Sequence, residues 1–255
     1  MNDSGQGVES PALSHLEIGP GLRLAYRHRQ GTGPTIVFLP GYLSDMEGGK
    51  ASALDQWAAA RGRAMLRFDY AGCGMSDGGF EAQSLANWRG DVLAMIDEVV
   101  EGPVVLVGSS MGGWLMLLAA MARPERVAGL VGIAAAPDFT SWGFTPEQKM
   151  TILQEGRVLE QSPYSDTPYV TTRTFWESGE ALRVLHGALP IDCPVRLLHG
   201  QQDADVPWTF SLEIMKQLRS ADVQASFVKD GDHRLSRESD ILLLLWTVEA
   251  LMESL

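Results

Sequence analysis

Short, uninterrupted apolar runs recur along the chain and alternate with segments of helical periodicity. Four of these runs, each bounded by Gly, Pro or a polar residue, are TIVFLPG (35–41), PVVLVG (103–108), VAGLVGIAA (127–135) and PVRLLHG (194–200). Runs of this kind are typical of strands that are covered on both faces of a parallel sheet. The alternation therefore predicts an α/β fold with right-handed crossovers between its strands.

The rest of the sequence indicates the other strands and the helices of this fold. Further strands are expected at 22–26, 64–70 and 223–229, and helices at 84–100, 111–123, 207–219 and 238–254. Within 84–100, for example, Leu85, Trp88 and Val92 recur at spacings of three and four, which places them on one face of a helix. We expect a mostly parallel central sheet of about eight strands, with helices on both faces.

The regular alternation stops in the segment 137–192. Thr145-Pro146-Glu147-Gln148 has the sequence of a capped helix start, and 178–190 has the pattern of a second short helix. A long insertion into a regular α/β pattern is more often a lid than an idle loop. We therefore predict one domain, 1–255, in which 137–192 form a cap over the binding site.

The balance of charged side chains argues against two classes of partner. Thirty-two acidic and 20 basic side chains give a formal net charge of −12, which repels nucleic acid and anionic lipid. No apolar run approaches the roughly 18–20 residues that a membrane span needs. Residues 1–20 resemble neither a secretory signal nor a transit peptide. We expect a cytoplasmic protein, and the sequence does not indicate its oligomeric state.

Two serines lie in Gly-x-Ser-x-Gly patterns, Ser110 in GSSMG and Ser76 in GMSDG. A nucleophilic serine of this type needs a strand that runs into the motif and a helix that leaves it. Ser110 follows the predicted strand 103–108 and precedes the apolar helix 111–123. Ser76 lies well beyond the end of its strand, and two glycines follow where a helix should begin. We therefore predict that Ser110 is a nucleophile and that Ser76 is part of a structural loop.

A serine hydroxyl needs a base to remove its proton. His233 follows the last predicted strand, so its side chain can reach the loop that holds Ser110. We predict His233 as this base, with His186 in the insertion as an open alternative. His199 is interpreted as a packing residue at the end of its strand.

A carboxylate should orient the base and stabilise its cationic form. Asp203 follows the strand 194–200 and is the predicted acid, and Asp205 remains an alternative. The order Ser110, Asp203, His233 is that of an α/β-hydrolase. The backbone N–H groups of Met111 and of Tyr42, in the loop LPGYLSDM, are the expected donors to an oxyanion.

Several motifs together resemble the α/β-hydrolase superfamily over nearly the whole chain. RFDYAGCGMSDG (67–78) is similar to a structural loop of that family, and HGQQDADVP (199–207) resembles its acid loop. FLPGYLSDMEGGKA, GSSMGGWLML and CPVRLLHGQQDADVPW look more closely like the subfamily of acyl-protein thioesterases and acyl-glucuronide esterases. The resemblance implies hydrolysis of acyl thioesters or esters by Ser110, His233 and Asp203.

The predicted activity is that of a serine hydrolase whose substrate is a small-molecule acyl ester or thioester, or an acylated protein. Such chemistry needs no metal and no organic cofactor. Trp142, Phe175 and Trp176 in the insertion are the expected contacts of the acyl chain. Two alternatives stay open: a ligand-binding protein with vestigial turnover, and a hydrolase that cleaves carbon–carbon bonds with the same serine.

Overall fold

The predicted alternation of strands and helices is present in the structure, a computed structural model that describes residues 9–161 and 168–255. The strands are β1 (Leu13–Gly19), β2 (Leu22–Arg29), β3 (Thr32–Leu39), β4 (Arg63–Phe68), β5 (Val104–Ser109), β6 (Val127–Ile133), β7 (Arg157–Glu160), β8 (Tyr169–Thr172), β9 (Val195–Gly200) and β10 (Val223–Val228). The helices are α1 (Gly49–Ala60), α2 (Leu85–Ala94), α3 (Met111–Ala122), α4 (Phe139–Trp142), α5 (Pro146–Glu155), α6 (Arg173–Ala181), α7 (Thr209–Gln217) and α8 (Glu238–Ser254). A π-helical turn, Met95–Val99, continues α2.

Eight of the strands form one sheet in the order β1-β2-β4-β3-β5-β6-β9-β10. β2 is antiparallel to both of its neighbours, and all pairs from β4 to β10 are parallel. This confirms the predicted α/β fold with its mostly parallel sheet. Because β3, β5, β9 and β10 run in the same direction, the loops that follow them all lie at one edge of the sheet.

The two faces of the sheet are buried against different helices. On β3, Val37 and Leu39 face one core, which includes buried residues of α2 and α3. Ile36 and Phe38 face the other core, which includes residues of α1 and α8. This alternation follows from the two-residue period of a strand. Burial on both faces explains why the predicted strands are continuous apolar runs rather than alternating ones.

The segment between β6 and β9 adds no described strand to the main sheet. It contains α4, α5, the antiparallel pair β7–β8, and α6. The helix start at Thr145 is confirmed: its hydroxyl accepts from Gln148 N–H, and the Gln148 side chain accepts from Thr145 N–H. In the described part of the chain, no helix is long and apolar enough to cross a membrane.

The second helix of this segment differs from its prediction over 178–190. It is α6, which begins after Thr172, whose hydroxyl accepts from Phe175 N–H. It ends at Ala181, and the N–H groups of Val184 and Leu185 then donate to the carboxylate of Asp138 at 2.8 and 2.9 Å. These bonds replace the helical ones, so a distant side chain ends the helix where its local pattern would continue.

Glycines allow the turn between β5 and α3 to pack against its neighbours. A Cβ on Gly108 would lie 2.4 Å from the carbonyl oxygen of Gly112, and one on Gly113 would lie 2.4 Å from Ala135 Cβ. A Cβ on Gly112 would lie 2.0 Å from Leu39 O, at the end of β3. Contacts this short leave no room for a side chain at these positions. Because all three residues are glycines, α3 can start directly against the carboxyl end of β3.

We predict opposite effects of alanine at two helical glycines. Gly112→Ala should lower the free energy of unfolding by about 3 kcal/mol, because the Leu39 and Pro40 backbone must move to admit the methyl group. Gly90→Ala, where a Cβ meets nothing within 4 Å, should raise it by about 0.5–1 kcal/mol. Urea unfolding of both variants checks this. Equal stability of Gly112→Ala and the wild type would contradict the packing described here.

Candidate active site

Ser110 lies at the sharp turn between β5 and α3, as the sequence predicts. Its backbone has φ 53° and ψ −119°, a conformation that a residue with a Cβ rarely adopts. Three hydrogen bonds hold it there: Ser110 N–H donates to Ile133 O at 2.9 Å, and Ser110 O accepts from Gly113 and Ala136 at 2.9 and 3.0 Å. Strained conformations of this kind persist where the surroundings fix them, commonly at functional sites.

His233 lies within hydrogen-bond distance of both of its predicted partners. Its Nε2 is 3.1 Å from Ser110 Oγ, and its Nδ1 is 2.8 Å from Asp203 Oδ2. An ionised carboxylate can only accept, so Nδ1 bears a proton. In the neutral ring Nε2 is then an acceptor that faces the serine hydroxyl. This is the arrangement in which a histidine can take the proton of an attacking serine.

The carboxylate of Asp203 has no exposed surface and accepts four hydrogen bonds. Oδ1 accepts from the N–H groups of Asp205 and Val206 at 2.9 and 2.8 Å. Oδ2 accepts from His233 and from Nε2 of His199, the latter at 3.1 Å. Burial would raise the pKa of Asp203, but the hydrogen bonds from His199 and His233 outweigh it and hold that pKa below its usual range.

The predicted alternatives to these residues occupy other positions. Asp205 contributes its backbone N–H to Asp203, whereas the ring of His233 bonds to Asp203 itself. His186 follows α6, in the insertion, and is not among the residues that line the cavity beside Ser110. The structure therefore brings together Ser110, His233 and Asp203.

His199 is the polar residue of this site that the sequence interpretation missed. It is the last residue but one of β9, is completely buried, and is not only a packing residue, because both of its ring nitrogens are hydrogen-bonded. The available signal was its spacing: His199 precedes Asp203 by four residues in HGQQD, so both side chains lie at the same end of one strand.

The loop after β3 approaches the serine closely. A Cβ on Gly41 would lie 3.4 Å from Ser110 Cβ, so the Gly41–Tyr42 backbone runs directly beside the nucleophile. Tyr42 and Met111 both line the cavity that contains Ser110 and His233. The carboxylate of Asp69 holds the far end of this loop, because its Oδ1 accepts from Met46 N–H at 2.8 Å.

Ser76 has a structural role in the segment after β4. Its hydroxyl donates to Asp69 O at 2.6 Å and accepts from Ala25 N–H at 2.8 Å. The other oxygen of the Asp69 carboxylate accepts from Met75 N–H at 2.8 Å. The segment 67–78, which the sequence interpretation identified as a structural loop, is thus connected through Asp69 to the loop after β3.

A cavity of about 880 Å³ opens beside Ser110 and His233. Residues of the insertion form part of its wall, and the aromatic side chains that line it are Phe38, Tyr42, Phe139, Trp142, Phe144 and Tyr169. The ring of Trp142 stacks on Phe210 at 4.4 Å, and the hydroxyl of Tyr42 donates to Val170 O at 2.6 Å. That bond connects the loop after β3 with β8 of the insertion.

Of the three predicted contacts for an acyl chain, only Trp142 is among the residues that line this cavity. Phe175 is buried behind the wall, with its ring centroid 5.0 Å from that of Tyr42 and 5.8 Å from that of Phe139. Trp176 packs with Phe144 inside the insertion and donates from Nε1 to Thr140 O at 3.0 Å. Sequence periodicity does not show which aromatic side chains of an irregular segment face the cavity.

Asp203, Asp205 and His233 can each offer one ligand atom within 4.8 Å of the others, which is close enough for a metal ion. The bond of 2.8 Å between His233 Nδ1 and Asp203 Oδ2 competes with such use. A metal bound to either atom would remove the contact that orients the ring. The chemistry of this donor set therefore fits a proton-transfer site better than a metal centre.

Comparisons with known proteins agree with the fold. A model of the family described as alpha/beta hydrolase matches residues 36–247. The chain is 43% identical over 251 residues to the mitochondrial palmitoyl-protein thioesterase ABHD10 of Homo sapiens, covering 97% of this chain and 82% of that protein.

Two solved structures are similar throughout. Alpha/beta hydrolase domain-containing protein 10 from mouse has a TM-score of 0.89 at 41% identity, covering 95% of this chain and 99% of the other. A putative hydrolase from Agrobacterium vitis has a TM-score of 0.90 at 36% identity, covering 94% and 98%. Ser110 lies at φ 53° in a strand-to-helix turn, and the family model and the relatives match most of the chain. This protein therefore belongs to the α/β hydrolase family.

Proposed function

We propose that this protein hydrolyses acyl thioesters and carboxylic acyl esters, with Ser110 as nucleophile, His233 as general base and acid, and Asp203 as the group that orients His233. The hydrogen-bonded series from Ser110 Oγ through His233 to Asp203 is the observation that carries this assignment. Relatives named palmitoyl-protein thioesterase support the thioester as the bond that is cleaved.

The first half of the reaction forms an acyl-enzyme. Ser110 Oγ attacks the acyl carbon while His233 Nε2 takes the hydroxyl proton, so a bond from Oγ to carbon forms and the carbonyl becomes an oxyanion. Asp203 stabilises the resulting imidazolium. Collapse of the intermediate breaks the bond to sulfur or oxygen, and His233 returns the proton to the leaving thiolate or alkoxide.

The second half repeats these steps with water. His233 Nε2 takes a proton from water, whose oxygen attacks the acyl carbon of the ester on Ser110. The acid product then leaves, and the proton returns to Ser110 Oγ. We propose that the backbone N–H groups of Tyr42 and Met111 donate hydrogen bonds to the oxyanion. Both residues line the cavity next to Ser110.

The substrate that we propose has a long acyl chain. The cavity of about 880 Å³ lies within the usual range of small-molecule pockets, and six aromatic side chains line it. A relative at 43% identity is named for removing palmitoyl groups from proteins. We propose an acylated protein as one form of the substrate and a small-molecule thioester or ester as another.

We further propose that the segment 137–192 acts as a cap within a single α/β domain. Trp142 and Tyr169 of this segment line the cavity, which supports contact with the acyl chain. Phe175 and Trp176 would act indirectly, by supporting residues of the wall. The bond from Tyr42 to Val170 O supports a fixed relation between the cap and the loop after β3.

A cytoplasmic location stays a prediction. The relatives are named as mitochondrial proteins, which does not favour it. Imaging of the tagged full chain in its own cell, beside markers of each compartment, decides between these locations.

A binding protein with vestigial turnover would not need the contact of 3.1 Å between His233 Nε2 and Ser110 Oγ. The presence of this contact therefore favours hydrolysis over ligand binding alone. A carbon–carbon hydrolase uses the same serine geometry, so the substrate separates it from an acyl hydrolase. Rates on matched thioesters, aryl esters and diketones make that distinction.

We predict that Ser110→Ala lowers kcat/KM for p-nitrophenyl esters by at least about 10³-fold and removes labelling by a fluorophosphonate. The control is Ser76→Ala, which removes the other serine in a Gly-x-Ser-x-Gly pattern. That variant should keep its labelling, because the hydroxyl of Ser76 bonds only to the backbone of Ala25 on β2 and of Asp69 after β4. Labelling of Ser110→Ala at the wild-type rate would contradict the assignment.

Asp203→Asn should lower kcat by about 10³–10⁴-fold, because an amide can hold the ring of His233 in the wrong tautomer. Asp205→Asn is the matched control: it keeps the backbone N–H that donates to Asp203 and should retain kcat within about threefold. Steady-state kinetics on one ester measure both. A larger loss of kcat in Asp205→Asn than in Asp203→Asn would contradict the assignment of Asp203 and would indicate that Asp205 orients His233.

Trp142→Ala should raise KM for hexadecanoyl thioesters about tenfold and leave KM for acetyl thioesters unchanged. Loss of roughly 55 Å² of apolar contact costs about 1.4 kcal/mol, which is tenfold in binding. Trp246→Ala on α8 removes a tryptophan that is 63% exposed and serves as control. An equal rise of KM for both chain lengths would show that Trp142 does not contact the acyl chain.

A further inference from the structure

The buried ring of His199 lies between the proposed acid and helix α7. Its Nε2 is 3.1 Å from Asp203 Oδ2 and 3.0 Å from Val206 O, and its Nδ1 is 2.8 Å from Ser211 Oγ. His199 and Ser211 have essentially no exposed surface. A second histidine therefore contacts the same carboxylate oxygen as His233.

The contacts of His199 determine where its proton lies. The carbonyl oxygen of Val206 and the carboxylate of Asp203 can only accept, so Nε2 bears a proton and donates to them. Ser211 Oγ can donate to Nδ1, which is then the acceptor of the neutral ring. One tautomer of the neutral ring satisfies all three partners, and both ends of the ring are fixed.

We propose that His199 is a positioning residue for catalysis: its Nε2–H directs Oδ2 of Asp203 toward His233 and thereby keeps His233 aligned with Ser110. The inference rests on the proposed roles of Ser110, His233 and Asp203. The hydrogen-bonded series of the site would then continue inward by two residues, from Asp203 through His199 to Ser211 on α7.

The geometry around Asp203 explains why this contact is needed. Oδ1 is fixed by two backbone N–H groups, from Asp205 and Val206. Without His199, the bond to His233 alone would hold Oδ2, and His233 is the partly exposed residue that must exchange protons during the reaction. A donor on the buried side keeps Oδ2 in place while the other partner changes its charge.

The test compares two amide substitutions at one position. The side-chain nitrogen of glutamine reaches the position of Nε2, whereas that of asparagine reaches only the position of Nδ1. His199→Gln therefore keeps a donor to Asp203, and His199→Asn loses it while it retains a polar group near Ser211. We expect kcat to fall about 10–100-fold in His199→Asn, with KM within twofold of the wild type, and to remain within about fivefold in His199→Gln.

The measurements are kcat, KM, the rate of fluorophosphonate labelling and the melting temperature of each variant. Equal kcat in the wild type and His199→Asn would overturn the proposal, as would equal losses of kcat in both variants with equally lowered melting temperatures. If the proposed function itself were wrong, the wild type would lack activity that depends on Ser110, and labelling of Ser110→Ala would show this first.

A smaller change keeps the test decisive if His199→Asn does not fold. Ser211→Ala removes only the hydroxyl that bonds Nδ1, so the ring of His199 keeps its two partners at Nε2 and loses the one at Nδ1. We expect kcat to fall about three- to tenfold with KM unchanged. The control is Thr247→Ala, which removes a hydroxyl that donates to Leu243 O on α8. A kcat of Ser211→Ala equal to that of the control would contradict the positioning role.

Discussion

The strained backbone of Ser110 is the feature on which the rest of the site depends. A non-glycine residue at φ 53° costs of the order of 1–3 kcal/mol, so packing on both sides must hold it. Three backbone hydrogen bonds and the close approach of Gly112 to the end of β3 provide that support. The turn places Oγ above the edge of the sheet, where loops from other strands can reach it.

Because the parallel strands run in one direction, the loops that carry the partners of Ser110 lie at the same edge of the sheet. Asp203 follows β9 and His233 follows β10, and these strands are adjacent in the sheet. β6 separates β9 from β5, which ends at Ser110, and β3 on the far side of β5 leads into Gly41 and Tyr42. Residues far apart in sequence thus meet because each lies just beyond the carboxyl end of a strand. Loops can vary around this arrangement while the sheet keeps its geometry.

Sequence patterns predicted the parts of this protein that depend on local rules. The strands of the buried sheet, the turn at Ser110 and the order of Ser110, Asp203 and His233 follow from apolar periodicity and from motif spacing. Helix α1 was not predicted, because its five buried residues include two alanines and Asp55, so that this face contrasts weakly with the polar side. The end of α6 and the burial of Phe175 depend on contacts with Asp138 and Tyr42, which lie far away in sequence. Apolar periodicity predicts that His199 is buried but does not show what its ring nitrogens contact, and only its spacing of four residues from Asp203 indicates a shared site.

If Ser110 is the nucleophile, a covalent acyl group must form on its Oγ during turnover. Rapid mixing of the wild-type protein with a hexadecanoyl thioester, followed by acid quenching and mass spectrometry of peptides, tests it directly. We predict a hexadecanoyl adduct on the peptide that contains Ser110, formed before steady turnover and absent from Ser110→Ala. Turnover without any adduct, or an adduct on another residue that forms at the rate of turnover, would contradict it.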